Sequence, residues 1–226
     1  NLLKLRVSEL AKLLKVHGRG NDFLLLDCLH DDPPRLHRRA SQYLCDRHFG
    51  VGADGLVILR PAEKADIVAW TFYNCDGSEA EMCGNAARCA IRYIIDKYRP
   101  QQIPIALETK AGIIRGKKMD DGRVEITLLS KGDQKFDYEQ KTIKSERSVF
   151  DVYSINTGVP HAVIEVRDMV SYPIVQVGGL LLSHPTFGPA GTNVTFFQRL
   201  MGNRIYSTTF ERGVEHETFA CGTGVA

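Results

Sequence analysis

The sequence predicts an α+β fold in two related halves. Segments typical of β-strands outnumber helical ones, and the two kinds do not alternate as they would in a doubly wound parallel sheet. Two similar motifs, EMCGNAARC at 81–89 and FACGTGVA at 219–226, each place a Cys-Gly-polar triplet after a strand-like run. Two such copies, one in each half, indicate a duplicated fold with a site where the copies meet.

Strand-like segments are rich in β-branched and aromatic residues, and some alternate apolar with polar positions. They are 22–28, 55–60, 67–74, 103–108, 123–129, 150–156, 161–166, 193–197 and 204–212. Residues 130–149 are polar and weakly patterned, so they form the natural seam between the halves. We therefore expect an N-terminal lobe over 1–130 and a C-terminal lobe over 131–226.

Two segments favour helix. The first covers 35–48, where Leu36, Ala40, Tyr43 and Leu44 form one apolar stripe and Gly50 is a plausible stop. The second begins near Gly84 and ends before Pro100, with charged residues opposite its apolar side. Its apolar positions follow the i, i+3, i+4, i+7, i+8 spacing and are Ala86, Cys89, Ala90, Tyr93 and Ile94.

Composition excludes several classes of protein. The 29 basic and 27 acidic residues leave a net charge of +2, which gives no support for nucleic-acid binding or attraction to a membrane surface. No apolar run approaches the about 20 residues that span a bilayer, and the N-terminal stretch does not resemble a signal peptide. The six cysteines lack metal-site spacing, and Cys28 and Cys45 lie in apolar stretches as buried thiols would. We expect a reducing, cytoplasmic setting.

A cysteine at the start of a helix lies where backbone N–H groups and the helix dipole favour an anion. This placement is expected to lower the thiol pKa, and a following glycine lets the backbone hold a carboxylate closely. Two such units can present sulfur to opposite faces of one carbon, so that one thiolate removes a proton and the other thiol delivers one. Cys83 and Cys221 therefore form a candidate catalytic pair.

Other interpretations of these residues stay open. Each cysteine can be structural, or Cys83 and Cys221 can form a redox pair. A dithiol redox or metal-binding protein is thus the non-enzymatic alternative. His161 can be a turn histidine with one backbone hydrogen bond, and asparagine in turns needs no ligand.

Six motifs together resemble the diaminopimelate epimerase family, in family order and across nearly the whole chain. They are HGRGNDF (17–23), FGVGADGL (49–56), NCDGSEAEMCGNAARC (74–89), GVPHAV (158–163), GTNVTF (191–196) and FERG with TFACGTG (210–224). The resemblance implies two pseudo-symmetric domains, each a mostly antiparallel sheet around a central helix, with the active site in the cleft between them. It also implies epimerisation of LL- to meso-diaminopimelate in lysine and peptidoglycan biosynthesis, without pyridoxal phosphate or metal, in a homodimer.

The resemblance assigns roles to individual residues. Cys83 and Cys221 match the catalytic pair, while His161 and Glu211 match the polar pair that tunes the thiols. A further set of positions, to which Glu211 also belongs, matches residues that bind the amino-acid substrate. These are Asn21, Asn74, Gly84, Asn85, Asn193, Glu211, Arg212, Gly222 and Thr223.

Three features depart from the family pattern. Val159 occupies a position where the family has an asparagine that contacts substrate, and Glu215-His216 extends a link that is shorter in the family. A lost amide leaves a polar group of the substrate unpaired at a cost of about 1–3 kcal/mol if buried, so a broadened range or a glutamate- or proline-type racemase is the alternative function. Residue 226 lies four positions after Gly222, and we expect the chain to stop short of the family's C-terminal end.

Overall fold

Two sheets account for most of the regular structure. The computed structural model describes residues 13–31, 38–100, 104–127, 137–145, 148–157, 159–212, 217–218 and 221–224. The chain divides into two units, Asn1–Leu129 and Ser130–Ala226, and each contains one of the sheets. No helix within these ranges has the length and apolar character needed to cross a bilayer.

The first unit contains a mixed sheet whose strands are neighbours in chain order. They are β1 (Leu13–Gly18), β2 (Asn21–Asp27), β3 (Gly55–Pro61), β4 (Ile67–Asn74), β5 (Ile105–Thr109), β6 (Gly112–Lys118) and β7 (Val124–Thr127). The pairs β2–β3 and β4–β5 run parallel, and the other neighbouring pairs run antiparallel.

Two helices pack against this sheet. Helix α1 (Arg38–Cys45) joins one cluster of buried side chains that includes Leu24 and Leu26, whereas Phe23 and Leu25 belong to the cluster around α2 (Gly84–Lys97). Successive strand residues point to opposite faces of the sheet, and each face is covered by a helix. The central positions of β2 are therefore all apolar. Helix α2 contacts β1 at one end of the sheet and β6 and β7 at the other, so the sheet curls around it.

The second unit contains a six-stranded sheet in the order β13-β12-β11-β10-β9-β8. Its strands are β8 (Tyr138–Lys144), β9 (Val149–Asn156), β10 (Pro160–Glu165), β11 (Asn193–Leu200), β12 (Arg204–Phe210) and β13 (Glu217–Thr218). β10 and β11 run parallel, and the other neighbours run antiparallel. Helix α3 (Ile174–Leu182) packs on the face formed by Val194, Phe196 and Phe210.

The two units repeat one chain path. In each, an antiparallel strand pair leads into a helix, and a second antiparallel pair follows, so that the middle two strands of the four lie parallel. The first copy is β1–β2, α1, β3–β4, and the second is β9–β10, α3, β11–β12. Cys83 and Cys221 each follow the second strand pair of their own unit. The predicted two-domain α+β fold is confirmed.

Each predicted strand has a counterpart, and the predicted second helix is confirmed as α2. Five elements were not predicted, namely β1, β6, β8, β13 and α3. Strand β8 lies inside the polar segment 130–149, where no strand was predicted. It is an edge strand with only Ile143 buried, and such strands tolerate polar residues. Helix α1 ends at Cys45, before residue 48, and 35–37 lie outside the described ranges.

Candidate active site

Three polar residues of the first unit share one edge of its sheet. β2 begins at Asn21, and the parallel strand β3 begins at Gly55, just after Asp54. β4 runs antiparallel to β3 and ends at Asn74, which pairs with Gly55. The turn before Asn21 consists of Arg19 and Gly20, which both have positive φ, as in the two-residue turns that match the twist of a hairpin.

Cys83 is the N-cap residue of α2, and its extended backbone, with φ −143°, directs the chain into the helix. Its Sγ lies 3.8 Å from Asn21 Oδ1, and Asn85 Nδ2 donates a 3.1 Å hydrogen bond to the same oxygen. Gly84 and Asn85 are the first two helical residues, where backbone N–H groups point out of the helix end. The first unit thus brings three other predicted site residues together around the Cys83 thiol.

The side chain of Asn74 is engaged within its own turn. Its Nδ2 donates a 2.9 Å hydrogen bond to Ser78 Oγ, and its backbone carbonyl accepts from Gly77 N. Ser78 also donates to Asp76, so residues 74–78 form a tight polar turn. An amide has two N–H donors and an acceptor oxygen, so this bond does not prevent substrate binding by the Asn74 side chain, which stays a prediction.

Behind Asn21 lies a charged cluster whose members were not among the predicted site residues. Asp54 Oδ2 accepts a 2.7 Å hydrogen bond from Asn21 Nδ2, and Arg47 Nη2 bridges Asp54 and Asp22 at 2.9 and 2.7 Å. Burial disfavours ionisation of Asp22, but hydrogen bonds from Arg47 and Lys15 outweigh it and lower its pKa to about 2. Asp54 belongs to the FGVGADGL motif, which is the signal in the sequence that marked this cluster.

The second unit collects its predicted residues at one edge in the same way. His161 on β10 pairs with Asn193, the first residue of the parallel strand β11. β12 runs antiparallel to β11, so Glu211 and Arg212, which follow its last residue, come beside Asn193. The backbone N–H of Arg212 donates a 3.0 Å hydrogen bond to Asn193 Oδ1. The Asn193 side chain therefore anchors the segment that carries the Glu-Arg pair.

His161 is 1% exposed and lies between two hydroxyl groups. Its Nδ1 is 3.0 Å from Thr195 Oγ1, and its Nε2 is 3.0 Å from Thr223 Oγ1. Burial and then the positive charge of Arg212 lower its pKa to about 4, so the imidazole is neutral at neutral pH. Both ring nitrogens have a hydrogen-bonding partner, which excludes a simple turn histidine bonded only to backbone.

The Sγ atom of Cys221 lies 3.4 Å from the Thr223 hydroxyl. Burial and then the negative charge of Glu211 raise its pKa to about 11. The expectation that a helix start lowers this thiol pKa is therefore wrong for Cys221, because burial and a neighbouring carboxylate both favour the neutral thiol. Gly222, Thr223 and Gly224 form a turn in the described part of this segment. A Cβ on Gly224 would lie 2.7 Å from the hydroxyls of Thr195 and Thr209.

Arg212 carries an unused donor. Its Nη1 donates a 2.7 Å hydrogen bond to the carbonyl of Ala190, whereas its buried Nε has no hydrogen-bond partner among the described residues. Leaving a buried donor unpaired is unfavourable, and such groups in native proteins commonly meet a ligand or water. The arrangement suits an anionic group such as a carboxylate.

The other residues that the sequence singled out lie in different parts of the two units. Cys28 and Cys45 are each 3% exposed, which confirms them as buried thiols. The half-buried Val159 accepts a hydrogen bond from Thr157 N through its backbone carbonyl. Glu215 and His216 lie outside the described residues. Within the part of the chain that the structure describes, no three His, Cys, Asp or Glu side chains group as they would around a metal ion.

Sequence comparisons identify one family, and a structural comparison shows a shared fold. A sequence model of the diaminopimelate epimerase family matches residues 13–135. Diaminopimelate epimerase of Pelotomaculum thermopropionicum is 38% identical over 224 residues, covering 93% of this chain and 79% of that protein. The Aquifex aeolicus enzyme is 38% identical over 221 residues, covering 93% and 77%. A crystal structure of a hydroxyproline epimerase from Agrobacterium vitis shares the fold, with TM-score 0.70, 18% identity, and coverage of 94% of this chain and 73% of that one.

Proposed function

Because the chain belongs to the diaminopimelate epimerase family, we propose that it interconverts LL- and meso-2,6-diaminopimelate, an isomerase reaction of lysine and peptidoglycan precursor synthesis. The strongest support is the set of side chains around each cysteine. In the first unit, Cys83 contacts Asn21, which is hydrogen-bonded to Asn85. In the second unit, Cys221 contacts Thr223, which is hydrogen-bonded to His161. Each thiol is therefore surrounded by the polar side chains that the family assigns to the reaction.

The proposed reaction is a proton exchange at one carbon. A cysteine thiolate takes the α-proton of the substrate, and the other cysteine, as a thiol, returns a proton to the opposite face. Backbone N–H groups at Gly84 and Asn85, and at Gly222 and Thr223, hold the reacting carboxylate and stabilise the carbanion. No cofactor takes part in this scheme.

Protonation of Cys221 fits the role of the acid. Its pKa of about 11 keeps it a thiol at neutral pH in the absence of substrate. The charge of Glu211 contributes to this raised pKa, so a substrate ammonium beside Glu211 would weaken that contribution and make the thiolate more accessible. The same cysteine can thus serve as acid or base, depending on which stereoisomer is bound.

Substrate recognition uses the polar groups that remain. The buried Nε of Arg212 is suited to a substrate carboxylate, and Glu211 to an ammonium group. Asn193 fixes the Arg212 backbone, and Asn21 and Asn74 offer amides at the sheet edge of the first unit. His161 keeps the Thr223 hydroxyl in place and tunes Cys221 through it.

The test is turnover of LL-diaminopimelate by purified protein dialysed against a chelator, with no pyridoxal phosphate added. Chiral chromatography should show meso-diaminopimelate approaching the equilibrium mixture. Cys83→Ala and Cys221→Ala should each abolish the conversion. Full activity in either variant, or dependence on added pyridoxal phosphate, would exclude this mechanism.

Val159 supports a second candidate, a cofactor-independent racemase with a broader or shifted range. Its apolar side chain cannot supply the amide hydrogen bond that the family pattern places there. Comparing kcat/KM for LL-diaminopimelate, glutamate and proline distinguishes the two. A higher value for glutamate or proline would favour the second candidate, and no turnover of either would dismiss it.

We further propose a homodimer in the cytoplasm. Two thiols that carry the reaction must stay reduced, and the described cysteines are all free of disulfides, which suits a reducing compartment. Light scattering after size-exclusion chromatography measures the mass in solution. A mass near 25.2 kDa would indicate a monomer, and twice that value would support the dimer.

A further inference from the structure

The orientation of the Asn21 amide is fixed by a carboxylate that accepts a hydrogen bond from its NH₂ group. We infer that Asp54 is a positioning residue, whose carboxylate turns the Asn21 amide so that the carbonyl oxygen, and not the NH₂ group, faces Cys83. The inference rests on the proposed function for its meaning in catalysis. Its geometry belongs entirely to the first unit.

A carboxylate that is paired with arginine can only accept hydrogen bonds. Asp54 Oδ1 accepts from Arg47, and Asp54 Oδ2 lies 2.7 Å from the Asn21 amide, so the group of Asn21 that faces it must be the NH₂ donor. The backbone N–H of Asp22 also donates to Asp54 Oδ2, at 3.1 Å. Asp54 is thus held from two sides, and the Asn21 carbonyl must point away from it.

The hydrogen bonds of Asn85 give the same orientation of the Asn21 amide independently. Arg88 donates to Asn85 Oδ1, and a guanidinium can only donate. The NH₂ group of Asn85 must then face Asn21, where it donates at 3.1 Å to Oδ1. Charged groups at both ends therefore assign the orientation of both amides.

This orientation has a chemical consequence at Cys83. The thiol meets a carbonyl acceptor at 3.8 Å, and an acceptor stabilises S–H over S⁻, whereas an NH₂ donor would do the reverse. Through the Asn21 carbonyl, Asp54 therefore favours the protonated form of Cys83 and opposes the N-terminus of α2, which favours thiolate. Without Asp54, one of the two bonds that orient the Asn21 amide is lost, and the amide can present its NH₂ group to the sulfur at the cost of the bond from Asn85.

Asp54→Asn tests the inference with a readout that needs no substrate. We measure the rate of iodoacetamide modification at Cys83 against pH, by mass spectrometry of the peptide that contains it. The variant should react about tenfold faster than the native protein near neutral pH, with the pH profile displaced downward by about one unit. In epimerisation, kcat should fall more than KM changes.

Asp22→Asn is the matched control. It removes a carboxylate from the same Arg47 cluster but leaves the bond between Asp54 and Asn21 in place. Its Cys83 profile should match that of the native protein. An equal displacement in both variants would mean that cluster charge, and not amide orientation, acts on the thiol, and this would overturn the inference.

A double variant restores the hydrogen bond between positions 21 and 54 with donor and acceptor exchanged. Asn21→Asp combined with Asp54→Asn lets an amide donate to a carboxylate across the same gap, and it leaves a carboxylate oxygen facing Cys83. Modification of Cys83 should return to the slow native rate or below it. An unshifted profile in Asp54→Asn, or a double variant as fast as Asp54→Asn, would overturn the inference.

If the native protein fails to epimerise diaminopimelate while these rates behave as expected, the proposed function fails and the positioning role stands.

Discussion

Nε2 of His161 lies 3.0 Å from the hydroxyl of Thr223. That hydroxyl lies 3.4 Å from the sulfur of Cys221, so Thr223 is the connection between the buried imidazole and the thiol. Thr157 Oγ1 donates a 2.7 Å hydrogen bond to the carbonyl of Thr223 and fixes its backbone. The side chain of Thr223 therefore has a defined position between two groups with shifted pKa values.

Replacing this connection should impair the reaction without unfolding the unit. Thr223→Val keeps the shape but removes the hydroxyl, so kcat for LL-diaminopimelate should fall at least about tenfold. Thr223→Ser keeps the hydroxyl and should stay within about threefold of the native rate. Steady-state kinetics of both variants check this, and equal rates for Val and Ser would show that the connection has no role.

Cys28 serves as a control for the catalytic cysteines. It follows the end of β2 opposite to Asn21, about 20 Å along the strand, and is 3% exposed. Cys28→Ala should leave turnover within about twofold and lower the free energy of unfolding by about 1 kcal/mol, through lost packing. Urea titration and kinetics on the same preparation measure both. A loss of turnover equal to that in Cys83→Ala would contradict the assignment of roles.

Stability should depend on pH through His161. Its pKa falls from 6.5 in the unfolded chain to about 4 in the folded unit, so the unfolded state takes up the proton first as pH drops. The full contribution is present above about pH 6.5, and up to about 3 kcal/mol is lost by about pH 4. Asp22 and Asp27, whose pKa values fall from 3.8 to about 2, add losses only below that window.

Urea unfolding between about pH 7 and about pH 4.5 measures this dependence. His161→Gln lacks a titrating group and should show a much flatter profile in that window. A profile as steep as that of the native protein would assign the effect to another group.

The β1–β2 turn offers a stabilising substitution. Arg19 has a φ of 55°, a conformation that Asn adopts more readily than Arg and that Asn-Gly turns favour. Arg19→Asn should raise the free energy of unfolding by about 0.5–1 kcal/mol. Gly20→Ala, at a φ of 90°, should lower it by about 1 kcal/mol or more. Thermal denaturation of both variants gives the sign of each change in stability. A destabilising Arg19→Asn would show that contacts of the arginine side chain contribute more to stability than its backbone conformation costs.

Local pattern was sufficient to predict where Cys83 lies. The apolar spacing after Gly84 defines the start of α2, and a cysteine just before it must occupy the N-cap. The edge strand β8 was missed because its single buried side chain, Ile143, leaves too weak an alternation to detect.

The partners of the site residues could not be predicted from local pattern. Asn21 and Asp54 are separated by 33 positions and meet only because β2 and β3 pair in parallel with a particular register. The raised pKa of Cys221 depends in the same way on burial and on the approach of Glu211. Sequence motifs marked Asp54 and Glu211, but pairing register and burial determine what they do.

Solvent labelling at early conversion tests the central claim most directly. In D₂O, native protein acting on LL-diaminopimelate should yield meso product with one deuterium at the inverted carbon, while recovered substrate keeps its hydrogen, because separate thiols remove and deliver the proton. Product that retains the substrate's own hydrogen, or equal labelling of substrate and product from the earliest times, would contradict a two-thiol mechanism.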